Sequence, residues 1–175
     1  MSRLSVSLTT NLRSSSRVHF RESPGAHYHD PVAHSTPEIP PVGRLSEAAS
    51  PAPDGSEIRL LVGETERASR ASLCQATLGP GQTSRPVKHR QVEEIWYFLE
   101  GEGEVWRCPP DTDAARVEPV TVRRGDALVI PAGWSFQFRA SPDGPLRFLC
   151  YTSPPWPGDD EAQAASPGSL GSPTI

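Results

Sequence analysis

Residues 81–101 read GQTSRPVKHRQVEEIWYFLEG, and residues 125–140 read GDALVIPAGWSFQFRA. In both stretches, short runs of β-branched and aromatic residues are bounded by glycine and proline, which is typical of strands joined by tight turns. The pattern extends over residues 57–152, where no apolar stripe has a helical period. We therefore predict an all-β sandwich or barrel. Its nine strands are expected near residues 57–62, 70–78, 85–89, 94–99, 103–108, 118–123, 126–130, 134–140 and 145–152.

The two flanking segments have a different composition. The first 54 residues contain seven Pro and ten Ser, and residues 153–175 contain five Pro, three Gly and four Ser. Segments of this kind bury too little apolar surface to offset their conformational entropy. We predict a disordered or weakly ordered N-terminal segment over residues 1–54, a β-barrel over residues 55–152 and a disordered C-terminal tail over residues 153–175.

Composition excludes several classes of function. Seventeen Lys and Arg against 21 Asp and Glu give a formal net charge of −4, which disfavours non-specific binding to nucleic acid. No apolar run approaches the roughly 20 residues that span a bilayer, so no membrane partner is expected. The three cysteines form no CxxC pair, as is usual in a reducing compartment. We expect a cytoplasmic protein; the alternative is organelle targeting, since residues 1–21 contain four Arg, many Ser and no acidic residue.

The two stretches quoted above resemble the two conserved motifs of the cupin superfamily, in particular those of small single-domain cupins. Positions that match the motifs are Gly81, His89, Glu94, Gly101, Gly125, Pro131 and Gly133. Val87 and Phe136 stand where the motifs have histidine, and Ala140 stands where they have asparagine. The resemblance covers residues 57–152 and implies a cupin jelly roll, or double-stranded β-helix, that is commonly a homodimer.

The resemblance also implies a metal site, but with a reduced ligand set. In metal-binding cupins, three His and one Glu hold a divalent transition metal, and only His89 and Glu94 remain here. Catalytic metal sites usually need about three protein ligands. His89 and Glu94 are therefore the metal ligands if a metal is bound, and otherwise no cofactor is expected. His27, His29 and His34 are a second candidate cluster, which we interpret as part of a solvated tail.

Strand alternation predicts the surroundings of His89 and Glu94, because side chains two residues apart share one face of a sheet. Aromatic side chains then follow Glu94 on its strand and accompany Phe136 on another. Together with the neighbouring turn, they give a predicted ligand pocket formed by Trp96, Phe98, Trp134, Phe136, Phe138, Gln91 and Arg90. Trp156, just past the last strand, is expected to pack on the barrel or on a partner subunit.

An apolar pocket with a few convergent polar groups suits a small organic ligand. The leading hypothesis is a small-molecule-binding cupin in which His89 and Glu94 are catalytic and support weak isomerase- or epimerase-type proton transfer. One alternative is a metal-dependent dioxygenase or sugar isomerase, and another is a non-enzymatic sensor or interaction module. The sequence leaves open whether the protein is an enzyme.

Overall fold

A computed structural model describes residues 38–175. Within that range the backbone forms strands and two single-turn 3₁₀ helices, Ala114–Arg116 and Asp159–Glu161. No helix in the described range is long and apolar enough to cross a membrane. The strands, in chain order, are β1 Ser50–Pro51, β2 Glu57–Val62, β3 Ser72–Leu78, β4 Val87–His89, β5 Glu93–Glu100, β6 Glu102–Cys108, β7 Val120–Arg123, β8 Ala127–Ile130, β9 Ser135–Ala140, β10 Leu146–Ser153 and β11 Ala162–Ala164.

The strands form two antiparallel sheets that face each other. The six-stranded sheet has the order β1-β2-β3-β10-β5-β8, and the five-stranded sheet has the order β11-β4-β9-β6-β7. Strands that are neighbours in a sheet are often distant in sequence, as when β10 lies between β3 and β5. This is the jelly-roll arrangement of an all-β domain, as predicted.

All nine predicted strands are present; six of them begin one or two residues later than predicted, and for two of these six proline is the reason. Pro86 precedes β4 and Pro119 precedes β7. Proline has no backbone N–H to donate to a ladder. The hydrogen-bonded strands therefore start at Val87 and Val120 rather than at residues 85 and 118.

The inner faces of the two sheets enclose one aromatic core. The rings of Trp96 and Phe148 stack with centroids 4.3 Å apart, and Phe98 and Phe138 pack edge-on or tilted against them. All four side chains are buried. The turn from β5 into β6 closes one end of this core and requires glycine, because a Cβ on Gly101 would lie 2.0 Å from the Pro145 carbonyl oxygen.

The C-terminal segment is ordered, so the prediction of a disordered tail over residues 153–175 is wrong. Strand β11 pairs with β4, and the N–H of Thr174 donates to the carbonyl of Thr83 at 3.0 Å. Leu170 is buried against Trp106 and Cys108 on the outer face of the five-stranded sheet. The segment has few apolar residues of its own, but it covers apolar residues of the sheet, and composition alone does not reveal that.

The predicted boundary at residue 54 also needs correction. Residues 50 and 51 pair with β2, and the N–H of Ser46 donates to the carbonyl of Leu60 at 3.0 Å. The chain therefore joins the six-stranded sheet before residue 54. Residues 1–37, including His27, His29 and His34 and the Arg-rich leader, lie outside the described part of the chain.

Candidate functional site

One end of the sandwich holds a cavity of about 510 Å³, which we call the barrel cavity. It lies between β3, β5 and β10 on one side, β4 on the other, and the turn of residues 50–56 at its rim. Most of its wall is apolar, and its polar groups are few. The lining residues are Ser50, Pro51, Ala52, Pro53, Asp54, Ser56, Ile58, Leu60, Ser72, Cys74, Ala76, Val87, His89, Glu94, Trp96, Phe148, Cys150, Thr152 and Trp156.

His89 and Glu94 meet in this cavity from two different sheets. His89 ends β4 and Glu94 is the second residue of β5, and their side chains are 5% and 8% exposed. The distance from His89 Nδ1 to Glu94 Oε1 is 3.7 Å, too long for a hydrogen bond. His89 Nδ1 is buried and has no hydrogen-bond partner among residues 38–175. The imidazole is fixed by edge-on contacts to the rings of Phe136 and Trp156, each at 5.1 Å between centroids.

Burial shifts both groups towards their neutral forms. Desolvation raises the pKa of Glu94 to about 7, although hydrogen bonds from Trp96 and Cys150 oppose the shift. Desolvation lowers the pKa of His89 to about 4, and the negative charge of Glu161 opposes that shift. At neutral pH the imidazole is therefore uncharged and the carboxyl is close to its titration midpoint. The pair does not form a conventional salt bridge, because His89 carries no charge there.

The two oxygens of the Glu94 carboxyl have different surroundings. Trp96 Nε1–H donates to Glu94 Oε2 at 2.8 Å. Oε1 is the oxygen that faces His89 Nδ1, at 3.7 Å. The cavity thus presents a proton donor and a basic nitrogen side by side, with no direct hydrogen bond between them.

The site contains a second carboxyl that the sequence analysis did not identify. Asp54 lies in the turn between β1 and β2, where its Oδ1 accepts the N–H of Ser56 at 2.7 Å. It is buried, and desolvation raises the pKa of its carboxyl. The negative charge of Asp54 also raises the pKa of Glu94, which shows that the two groups are close.

A third set of polar groups comes from two cysteines on adjacent strands. Cys74 of β3 lies directly opposite Cys150 of β10, and both line the cavity. The Cys150 side chain lies close to both Cys74 and Glu94, which both act on its ionisation. This contact with Cys74, together with burial, raises the pKa of Cys150 well above its usual value. Both cysteines are free thiols, and that of Cys150 is neutral at neutral pH.

Comparison with known proteins identifies the family. The cupin domain family matches residues 75–152 of this chain. An uncharacterized protein of Methanocaldococcus jannaschii is 32% identical over 108 residues, which cover 61% of this chain and 80% of that protein. The chain belongs to the cupin superfamily.

Solved structures agree on the fold of this cupin. The polyketide cyclase RemF from Streptomyces resistomycificus matches with a TM-score of 0.52 and 24% identity, over 73% of this chain and 82% of RemF. The capsular polysaccharide assembling protein CapF from Staphylococcus aureus matches with a TM-score of 0.58 and 13% identity, over 71% of this chain. Bacillus subtilis oxalate decarboxylase matches with a TM-score of 0.59 and 16% identity, over 75% of this chain. This chain spans only 35% and 33% of those last two proteins, respectively.

The residues present in this cupin do not fit a catalytic metal. Val87 and Phe136, at two of the family's ligand positions, have no donor atom. Over residues 38–175, no group of three His, Cys, Asp or Glu side chains is placed to hold a metal ion. Trp96 already donates a hydrogen bond to one of the two Glu94 oxygens. The side chains of His89 and Glu94 alone provide too few ligands, and we derive no step through a metal.

The structure brings together only part of the predicted pocket. Trp96 lines the barrel cavity, and Phe136 supports His89 from within the core. Phe98 and Phe138 are wholly buried core residues, because their strands run on into the filled end of the sandwich. Trp134 is half-buried in the turn between β8 and β9 and does not line the cavity.

Arg90 and Gln91 also lie outside the barrel cavity, in a separate surface cleft with Glu161. They form the turn after β4, where the C-terminal segment crosses over them. Glu161 Oε1 accepts the backbone N–H groups of Gln91 and Val92, both at 2.7 Å. Burial of Glu161 raises its pKa, but these two hydrogen bonds and the charges of His89 and Arg90 together outweigh that effect, and the pKa is lowered. The charged Glu161 therefore holds the turn that joins His89 to the strand of Glu94.

Asp54, Cys74 and Cys150 line the cavity but were not predicted as site residues. A signal for Asp54 was present, since Asp-Gly-Ser is a turn sequence in which aspartate accepts the N–H two residues later. Asp54 is the last residue of the segment that was predicted to be disordered. The expectation that Trp156 packs on the barrel is confirmed by its contact with His89.

Proposed function

We propose that this cupin binds a small organic molecule in the barrel cavity and exchanges protons with it through His89 and Glu94. The observation that carries the proposal is the unpartnered Nδ1 of a buried histidine in a cavity of about 510 Å³. A buried polar atom without a partner costs about 1–3 kcal/mol, so a ligand that supplies the missing hydrogen bond gains that much. The cavity is within the roughly 300–1,000 Å³ range of small-molecule sites.

The pKa of Glu94 suits it as a proton donor at neutral pH, and His89 is uncharged there and has a free lone pair. General acid–base catalysis works best when the pKa of the group is near the working pH, and the pKa of Glu94 is about 7. For a ligand with a carbonyl group, Glu94 donates its proton to the carbonyl oxygen while His89 accepts a proton from the adjacent carbon. The product is an enol, and return of a proton to the other carbon or the other face completes an isomerisation or epimerisation.

The structural neighbours support only a broader statement. RemF is named as a polyketide cyclase and the Bacillus subtilis protein as an oxalate decarboxylase, so this fold accommodates chemistry on small organic molecules. A metal-dependent reaction of the dioxygenase or sugar isomerase type has less support in this chain, because the side chains around His89 provide too few ligands.

A fragment screen by thermal shift tests the binding part of the proposal. Ala52→Trp fills the cavity from its rim, because Ala52 is half-buried and lines it. Ala49→Trp is the matched control, since Ala49 is exposed on the same segment and does not line the cavity. We expect fragments that stabilise the wild type and Ala49→Trp but not Ala52→Trp. Equal responses of the two variants would place binding elsewhere and overturn the proposal.

The chemical part is tested by exchange of carbon-bound hydrogen. Fragments that bind and contain a ketone are incubated with the protein in D₂O, and deuterium at the carbon next to the carbonyl is followed by NMR. We expect exchange above the buffer rate that is lost in His89→Ala and in Glu94→Gln. If both variants exchange as fast as the wild type, the two residues have no role in proton transfer.

The homodimer implied by the family resemblance remains a proposal, and one surface fits it. The outer face of the six-stranded sheet presents two rows of uncharged side chains, which we call the outer apolar patch: Tyr151, Ile95 and Val129 in one row, and Leu149, Tyr97 and Ala127 in the next. Ile95, Tyr97, Val129 and Tyr151 are each 40–48% exposed. A patch without charge can face its own copy without like-charge repulsion, so we propose that two copies pack through this face.

A further inference from the structure

The charges around the barrel cavity are strongly asymmetric. Over residues 38–175, its lining contains two carboxyl groups, Asp54 and Glu94, and one imidazole, but no Lys or Arg. Arg85 is close enough to Asp54 for its charge to oppose the rise in the pKa of Asp54. Arg85 does not line the cavity, and its Nε donates to the Ile175 carbonyl at 3.0 Å. A ligand in the cavity therefore meets acidic groups and a neutral histidine, with no cation in the part of the wall that the structure describes.

Asp54 is held in place by its own turn. The Ser56 N–H donates to the Asp54 carboxyl at 2.7 Å, and the Asp54 carbonyl accepts the N–H of Arg85 at 2.8 Å. The carboxyl is thus fixed at the cavity wall rather than free to turn into solvent. Burial of a carboxylate is costly unless an opposite charge or hydrogen-bond donors compensate it. Such compensation can come from a bound cation.

We propose that Asp54 forms a cation subsite, so that the ligand of this cupin carries a protonated amine in addition to the group that faces His89 and Glu94. The inference rests on the proposed function and names the class of ligand. It also disfavours carboxylates and phosphates as the main ligands, because their charge would lie beside two buried acids, and residues 38–175 place no Lys or Arg in the cavity wall. The unpartnered His89 Nδ1 in the same cavity independently indicates a ligand site.

Three probes of similar shape separate the role of charge from that of the apolar ring: benzylamine, benzyl alcohol and benzoate. Their binding to the full chain is measured by calorimetry near neutral pH, where the amine is protonated like that of lysine. We expect benzylamine to bind about tenfold more tightly than benzyl alcohol, as one charge-assisted hydrogen bond provides. Benzoate should bind more weakly than either. Higher salt should reduce the preference for benzylamine over benzyl alcohol, because salt screens the charge of the amine.

A matched pair of variants then assigns the effect to Asp54. Asp54→Asn removes the charge but keeps an oxygen that can accept the Ser56 N–H. Asp126→Asn is the control, since Asp126 also accepts a turn N–H, that of Arg123 at 3.0 Å, outside the barrel cavity. We expect Asp54→Asn to lose the roughly tenfold advantage of benzylamine and to bind benzyl alcohol as before. The Asp126→Asn variant should behave as the wild type.

The outcomes separate this inference from the proposed function. If benzyl alcohol or benzoate binds the wild type as tightly as benzylamine does, and Ala52→Trp abolishes that binding, the cation subsite is wrong and the proposed function stands. If Asp54→Asn keeps the full preference for benzylamine, the subsite is also wrong. If no probe binds the wild type, both are overturned. The binding of the three probes to the wild type tests the cation subsite even if Asp54→Asn fails to fold.

Discussion

The two ends of this β-sandwich are built from the same strands but differ in what fills them. At one end Leu78 of β3, Phe98 of β5 and Leu146 of β10 are completely buried in contact with other apolar residues. At the other end the same three strands contribute Cys74, Glu94 and Cys150 to the wall of the barrel cavity. One set of strands thus provides a close-packed core and, a few residues further along, an acidic cavity.

The boundary between the two ends is the stacked pair of Trp96 and Phe148. Both rings belong to the core cluster and both also line the barrel cavity. Trp96 in addition donates its indole N–H to Glu94. The packed end therefore fixes a rigid floor that orients the carboxyl at the open end, which is what a pre-organised site requires.

The largest expected difference between the ends is in stability. Phe98→Ala removes a wholly buried ring at the filled end and should lower the free energy of unfolding by about 3–5 kcal/mol. Trp156→Ala removes a half-buried ring at the mouth of the cavity and should cost about 1–2 kcal/mol, because much of that ring already faces open space. Urea unfolding of both variants measures this. Equal losses would mean that the open end is as tightly packed as the other.

The next effect concerns the pH dependence of stability. The pKa of Glu94 is raised in the folded state from its ordinary 4.5 to about 7. The folded state therefore holds this proton more tightly, and the contribution to stability is present below pH 4.5 and is lost as the pH rises through 7. Glu94→Gln has no carboxyl that titrates, so it does not lose this contribution. Between pH 4.5 and pH 8, the free energy of unfolding of the variant should therefore rise by roughly 2–3 kcal/mol relative to that of the wild type.

His89 makes the opposite contribution, and the same variant reveals it. Its pKa is lowered from 6.5 to about 4, so its contribution is present above pH 6.5 and is lost as the pH falls through 4. In the wild type, the contributions of Glu94 and His89 to the pH dependence of the free energy of unfolding partly cancel between pH 4.5 and pH 6.5. In Glu94→Gln, chemical unfolding should show stability that rises with pH over this interval. A variant with the same pH profile as wild type would contradict the assignment to Glu94.

A smaller effect is expected where the C-terminal segment supports the open end. Glu161→Ala leaves two backbone N–H groups, those of Gln91 and Val92, without their acceptor and should cost about 1–3 kcal/mol. Glu118→Ala, at an exposed glutamate of the same chain, is the control and should change stability by less than about 0.5 kcal/mol. If the two variants unfold at the same urea concentration, the segment does not support the turn beside His89.

The smallest effect on stability is expected at the outer apolar patch. Tyr97 is 48% exposed, so Tyr97→Glu should change the stability of the separate chain by only about 0.5 kcal/mol. If the patch joins two copies, light scattering should show a dimer for wild type and a monomer for the variant. A wild-type monomer at all accessible concentrations would remove the dimer proposal without affecting the account of the cavity.

The sequence predicted the fold well because the fold depends on local signals. Alternating apolar residues bounded by glycine and proline indicated all nine strands, and the spacing from Gly81 to Gly101 and from Gly125 to Gly133 indicated the family. The association of His89 with Glu94 followed from the same motif. Strand alternation also gave the correct inner face for Trp96 and Phe98, but not how far along the barrel the filled end extends.

The rest of the site depends on contacts between distant segments. Asp54 reaches the cavity only because residues 50 and 51 add a strand to β2. Glu161 reaches the turn after His89 only because β11 pairs with β4, about 70 residues away in sequence. Both segments are rich in Pro and Ser and have no core of their own, so their composition resembles that of a disordered chain. Their order comes from the surface that they cover.

The most direct test of the central claim, a proton-exchanging pair in a desolvated cavity, is a carbon-13 NMR titration of the Glu94 side-chain carboxyl, assigned by comparison with Glu94→Gln. We predict a midpoint near pH 7, with the imidazole of His89 uncharged throughout that transition. A carboxyl that titrates near its ordinary pKa of 4.5, beside an imidazole that is still protonated at pH 6, would contradict the account, because the pair would then be a solvated ion pair.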